Sequence, residues 1–120
     1  MSEPSVFTRI LRGEIPAEIL SETENVFVIR DIAPQAPLHL LVIPKTAEYR
    51  DVTELAAGDP ALLAEMVAVA GDVAAEHGSG DFRLVFNTGP GAGQTVFHVH
   101  AHVLGGDLRS DLFPEDGVPL

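Results

Sequence analysis

The stretch "TVFHVHAHV", residues 95–103, decides how the chain is read. It places three of the five histidines, His98, His100 and His102, on every second position. Successive side chains of a strand point to opposite faces, so the three imidazoles share one face while Phe97, Val99, Ala101 and Val103 share the other. The expectation is a strand with one core-facing side and one side that carries chemistry. Immediately upstream lies the glycine-rich loop "TGPGAGQ", 88–94, and before it "FRLVFN", 82–87, reads as a further strand.

The remaining segments supply the frame for that strand. Ser5 is suited to cap a short helix through Leu11, on which Phe7, Ile10 and Leu11 form a stripe, and Gly13 offers the stop. Ala17–Leu20 and Val26–Arg30 read as a hairpin with a polar turn at 22–25. The stiff connector "APQAP", 33–37, leads into "LHLLVIP", 38–44, a strand too apolar to be exposed on both faces. Asp59 as N-cap, Pro60 at the first helical position and Gly78 as the stop frame a helix over Pro60–His77, with Leu62, Met66, Val69, Val73 and His77 at helical spacing. The order helix, three strands, helix, two strands predicts an α+β domain whose largely antiparallel sheet carries its helices on one face, with the histidine side pointing elsewhere.

Composition narrows the function. A chain of 120 residues with 46% apolar and 21% charged residues is an ordered single domain. The absence of cysteine removes disulfide and thiolate chemistry. With 18 acidic against 7 basic residues the net charge is −11, a field that repels nucleic acids and anionic membranes. A small anion can still be held by a local cradle of backbone N–H groups. There is no apolar run of membrane length and no secretory pattern, so a cytoplasmic protein is expected.

Three readings fit the alternating histidines. They can be polar residues on a solvated edge, or ligands of a metal completed by His39 from the third strand. They can also be the apparatus of nucleophilic catalysis at phosphorus, in which one neutral imidazole attacks and its neighbours orient it or supply protons. The glycine loop favours the third reading, because glycines permit close backbone approach and consecutive N–H groups stabilise phosphoryl charge.

The segment "HVHAHVL" resembles the histidine triad motif, in which three histidines alternate with apolar residues. The likeness extends through "FTRILRGEIPAEIL", "RDIAPQAPLHLLVIPK", "FRLVFNTG" and "GAGQTVFHVHAHVLGG", which are similar to the Hint branch of the histidine triad (HIT) nucleotide-binding superfamily, the purine nucleoside phosphoramidases. The resemblance implies a HIT domain over residues 1–106, with residues 107–120 a C-terminal tail at a dimer interface. It implies a five-stranded antiparallel sheet with two helices, joined to its copy across a homodimer.

The activity implied is cleavage of the P–N bond of a purine nucleoside phosphoramidate through a covalent nucleotidyl-histidine, with no cofactor and no metal. By that resemblance His100 is the nucleophile, His98 orients it through its backbone carbonyl, His102 with Thr95 provides or relays a proton, and His39 packs against the triad. Asp31 is the acceptor for the ribose hydroxyls, its alternative role being that of a turn residue. Phe7, Ile10, Ile29 and Ile32 correspond to the purine pocket, though each is also suited to an ordinary core. Asn87, Gly93, Gln94 and Thr95 correspond to the phosphate side. Thr95 stands where the branch typically has serine, and the tail lacks the tryptophan of animal members, so the preferred amine is open. A nucleotide-binding scaffold with incidental turnover is the competing function.

Overall fold

The computed structural model describes residues 4–106 and Leu108. Five strands form one antiparallel sheet: β1 (Ile19–Glu22), β2 (Val26–Arg30), β3 (Leu38–Pro44), β4 (Arg83–Val85) and β5 (Ala101–Gly105), in the spatial order β1-β2-β3-β5-β4. Three α-helices accompany it: α1 (Val6–Leu11), α2 (Val52–Gly58) and α3 (Pro60–His77). The α+β architecture thus matches the expectation, with one helix more than the two foreseen. The proposed interface tail lies outside the described residues apart from Leu108.

Alternation along β3 sorts the core into two layers. Leu38, Leu40 and Val42 face one way and join Val26, Val28, Ala101 and Val103 against Leu62, Met66, Val69, Ala70 and Val73 of α3. Burying a large apolar side chain of this kind contributes roughly 1.5–3 kcal/mol, so this layer carries most of the stability. Leu41 and Ile43 face the other way and join Phe27, Ile29 and Phe7, with Ile10 and Leu11 of α1 packed against them. The helices therefore do not all lie on one face: α1 sits on the side that also holds His39 and His102. Its Phe7 ring packs into the second layer and brings the helix to the histidines.

Capping explains the helix limits. Ser5 Oγ accepts from Thr8 N–H at the start of α1, and Asp59 accepts from Leu62 N–H at the start of α3, which carries Pro60 in its first turn. Gly78 ends α3 as expected, but His77 is exposed and does not belong to the buried stripe, whose last members are Val73 and Ala74. Helix α2 was not foreseen. At 7 residues it is too short for periodicity to register, although Asp51 caps Glu54 N–H in the pattern of an N-terminal box.

The histidine strand is shorter than its sequence suggests. β5 begins at Ala101, paired with Val42, and residues 97–100 leave the ladder. Pro44 ends the partner strand: it has no N–H to give, and its carbonyl oxygen is taken by His98 Nε2 at 2.7 Å. Val99 donates instead to Tyr49 O at 3.0 Å. Phe97, freed from the sheet, is 50% exposed and does not reach the core.

Candidate active site

The three histidines sit at the end of β5, and each ring is fixed by a different partner. His98 is 0% exposed. Its Nε2 faces the Pro44 carbonyl, and its Nδ1 lies 2.6 Å from Ser5 Oγ. His100 Nδ1 lies 2.9 Å from the carbonyl oxygen of His98. His102 Nδ1 lies 2.9 Å from His39 Nε2, whose own Nδ1 accepts from Gln35 N–H at 2.9 Å.

These partners determine the tautomers. A carbonyl oxygen can only accept, so His100 carries its proton on Nδ1 and leaves Nε2 as a bare lone pair. His39 accepts at Nδ1, so its proton is on Nε2, from which it donates to His102 Nδ1; Asp31 Oδ2 lies 3.4 Å from the same nitrogen. His102 in turn holds its proton on Nε2, which lies 3.4 Å from Asn87 Nδ2; exchanging the nitrogen and oxygen of that amide turns an acceptor toward the proton. Burial lowers the pKa of His98 and of His100. Burial together with the neighbouring His100 and His39 rings pushes His102 down to about 4. At neutral pH the triad is uncharged, which is the state the tautomers require.

Phe7 binds the triad to a neighbouring cavity. Its ring stands edge-on to His100 and His98, with centroids 4.8 and 5.6 Å away. The same ring lines a cavity of about 180 Å³ with Ile10, Ile29, Asp31, Ile32 and Leu41. Whole-ligand pockets are typically about 300–1,000 Å³, so this cavity is sized for one flat part of a ligand. Ile32 forms its outer wall and is 94% exposed, so it is not core. Asp31 Oδ1 accepts from Ala33 N–H at 2.8 Å, which closes the turn before "APQAP", while its other oxygen faces His39. The turn role and the placement beside the site coexist in one carboxylate.

The glycine loop differs from the expected amide cradle. Ala92 and Gln94 N–H both return to Gly89 O at 3.1 Å, and Gly93 N–H returns to Pro90 O at 3.1 Å. Gly89 and Gly93 adopt φ of 87° and 91°, which wind the loop into a 3₁₀ turn over Pro90–Ala92 and spend these donors internally. Gln94 is the brace of this loop. Only 4% exposed, it accepts from Gly89 N–H at 2.8 Å and donates to Arg50 O and Val96 O at 2.7 and 3.1 Å. Thr95 is exposed and borders a second cavity, about 760 Å³, with Ser5, Thr8, Arg50 and His98.

The structure thus gathers Phe7, His39, His98, His100, His102, Asp31 and Asn87 around one centre and places Ile10, Ile29 and Ile32 at its apolar wall. The metal arrangement first considered is not assembled, since both His98 nitrogens and His100 Nδ1 are committed to Ser5 and to carbonyl oxygens. Ligand atoms of Asp31, His39 and His102 do lie within 4.8 Å of one another. Two partners escaped the sequence reading. Ser5 was visible only as a helix cap, 93 positions from His98, and Gln35 acts through its backbone, which no side-chain pattern can reveal. Among the described residues no helix is long and apolar enough to cross a membrane.

Similarity to known proteins runs along most of the chain. The HIT domain family model matches residues 12–108. The chain is 39% identical over 120 residues to the purine nucleoside phosphoramidase of Escherichia coli, covering 98% of this chain and 100% of that one. It is 46% identical over 107 residues to a HIT-like protein of Synechococcus elongatus, covering 88% of this chain and 93% of the relative. A HIT family hydrolase from Clostridium thermocellum superposes with a TM-score of 0.83 at 38% identity, covering 96% of this chain and 98% of that structure. A triad whose rings are locked in complementary tautomers, on this sheet and with these relatives, makes the chain a member of the HIT domain family.

Proposed function

We propose that the protein hydrolyses purine nucleoside phosphoramidates to nucleoside monophosphate and amine. The observation that carries this reading is the bond from His100 Nδ1–H to the His98 carbonyl, which leaves Nε2 unprotonated at neutral pH. The named activity of the Escherichia coli relative supports the same reaction class.

In the first step the His100 Nε2 lone pair attacks the α-phosphorus and the P–N bond breaks. The departing nitrogen takes up a proton and leaves as a neutral amine, because an amide anion is a very poor leaving group. His102 is the proton donor or relay. Its cation is disfavoured in the free protein, and an anionic phosphoryl group beside it favours that cation, so substrate itself loads the donor. Water then attacks the phosphorus of the nucleotidyl-His100, releasing the nucleoside monophosphate and restoring the ring.

The cavity beside Phe7 takes the base, and Asp31, on its rim, accepts from the ribose hydroxyls. Asn87 and Thr95 serve the phosphate and leaving-group side through their side chains and Gly93 by leaving room for close approach, with Gln94 holding their loop. The working unit is a homodimer in which two such sheets join, acting in the cytoplasm without a cofactor.

Rapid quenching of the reaction with adenosine 5′-phosphoramidate, followed by peptide mass spectrometry, tests the central claim. An adenylyl adduct on His100 is expected. An adduct on another side chain overturns the nucleophile, and binding without turnover makes the protein a nucleotide-binding scaffold.

A further inference from the structure

The N-cap residue of α1 touches the most deeply buried imidazole of the site. His98 Nε2 faces a carbonyl oxygen, that of Pro44, at 2.7 Å, so the proton of the neutral ring is on Nε2. Its Nδ1 is then an acceptor, and the atom within reach is Ser5 Oγ at 2.6 Å. Of the two side-chain atoms near Ser5 Oγ, Thr8 Oγ1 at 3.3 Å can donate its own proton while His98 Nδ1 at 2.6 Å can only accept, so the Ser5 hydroxyl donates to His98 and its oxygen accepts from Thr8 N–H at 3.1 Å. The ring itself is fully buried, and an unmet nitrogen there is costly.

The consequence reaches His100 through the chain. The peptide that follows the His98 ring carries the carbonyl that holds His100 Nδ1–H at 2.9 Å. If His98 took its proton on Nδ1, the Nε2 lone pair would meet the lone pairs of Pro44 O, and the ring with its peptide would have to move. The helix that Ser5 caps also presents Phe7 to both imidazoles and to the apolar cavity.

We propose that Ser5 is a positioning residue of the reaction: its hydroxyl locks the His98 tautomer, and the His98 carbonyl thereby holds His100 with its bare nitrogen toward substrate. This rests on the reading of His100 as nucleophile. The two duties of Ser5 call for opposite chemistry, since the helix cap needs an acceptor and His98 needs a donor. Serine and threonine do both. Aspartate caps a helix as well as serine but only accepts, and alanine does neither.

The test compares the parent with Ser5→Thr, Ser5→Asp and Ser5→Ala. Three readouts are taken: melting temperature, kcat and KM for adenosine 5′-phosphoramidate, and the ¹⁵N imidazole spectrum of histidine-labelled protein. The parent should show His98 as the neutral Nε2–H form. Ser5→Asp keeps the helix cap but leaves Nδ1 without a donor, so it should melt between Ser5→Ala and the parent and lose that form, with kcat down by about ten- to a hundredfold, the scale of a misplaced reacting group, and KM little changed. Ser5→Thr should recover the parent tautomer and rate.

An Nδ1–H form in the parent overturns the proposal whatever the variants do, as does a Ser5→Asp protein that turns over at the parent rate. A fall in kcat that follows melting temperature alone through all three variants also overturns it, leaving Ser5 a helix cap. A parent that releases no nucleoside monophosphate refutes the enzymatic reading instead, while the spectra still decide whether Ser5 sets the tautomer.

Discussion

His100 and His98 are linked by a bond from ring to backbone: Nδ1 of the later residue lies 2.9 Å from the carbonyl oxygen of the earlier one. The acceptor is a main-chain oxygen two residues back, so the placement of that peptide sets the position of the His100 ring. The bond occupies one nitrogen and so decides which is free.

Replacing His100 by Asn removes the free nitrogen but keeps a donor at the position of Nδ1–H. The variant should fold and bind adenosine monophosphate as the parent does, with turnover lower by about a thousandfold or more, as expected when a nucleophile is removed. Product release followed by chromatography, with binding by calorimetry, checks both halves. Turnover at the parent level removes His100 from the reaction.

Burial lowers the pKa of all three triad histidines, His102 to about 4 from an ordinary 6.5. Two consequences carry definite signs. The unfolded chain binds more protons than the folded one between about pH 4 and 6.5, so stability should rise with pH across that window and level off above it as far as these rings are concerned. Protonation of His100 fills its Nε2 lone pair, so the acid limb of kcat/KM should fall below 6.5, the ordinary histidine value. Denaturation midpoints and initial rates from pH 4.5 to 8 measure both, and an acid limb above pH 7 contradicts the tautomer scheme.

Asp31 joins a turn to the site, and substitution can separate the two duties. Asp31→Asn keeps an oxygen for Ala33 N–H, at 2.8 Å in the parent, but loses the charge proposed to meet the ribose hydroxyls. Its KM for ribonucleoside substrates should rise by the equivalent of about 1.5–3 kcal/mol, the worth of a charge-assisted hydrogen bond, and by less for 2′-deoxyribose substrates, which keep only the 3′-hydroxyl. If the parent already treats ribose and deoxyribose alike, the ribose assignment fails.

Chelation addresses the remaining use of the histidines. With Ser5 and the Pro44 and His98 carbonyls engaging the nitrogens of His98 and His100 Nδ1, the proposed reaction needs no ion. Activity should therefore survive dialysis against a strong chelator unchanged. Activity lost to the chelator and restored by a divalent cation would direct attention to Asp31, His39 and His102, the trio able to hold one.

Much of this was legible in the sequence because it rests on local rules. The caps at Ser5 and Asp59, the stop at Gly78 and the buried run of Leu38–Pro44 follow from neighbours within a few residues. The exposed Phe97 was not legible, since it depends on Pro44, 53 positions earlier in sequence, ending the partner strand and offering its carbonyl to His98. Alternation identified which side of the motif carries chemistry, and only the folded arrangement shows which nitrogen of each ring is spent. The winding of the loop is hidden for a related reason: glycine content signals freedom, and the use made of it, an internally bonded 3₁₀ turn, is set by Pro90 and by the distant Arg50 carbonyl that holds Gln94.

Gln94 makes that last point testable. Its buried amide meets one N–H and two carbonyl oxygens of the backbone, so shape and hydrogen-bonding pattern matter together. Gln94→Ala leaves those groups without partners and should cost roughly 1–3 kcal/mol in stability. Gln94→Glu keeps the acceptor for Gly89 N–H but sets a carboxylate against the Arg50 and Val96 carbonyls, so it should be at least as damaging despite its similar size. Because the next residue is Thr95, both variants should lower kcat more than they raise KM, by loosening the loop beside the triad. Urea titration with steady-state kinetics checks this, and a selective rise in KM at full stability would place the Gln94 side chain on substrate and not on the loop.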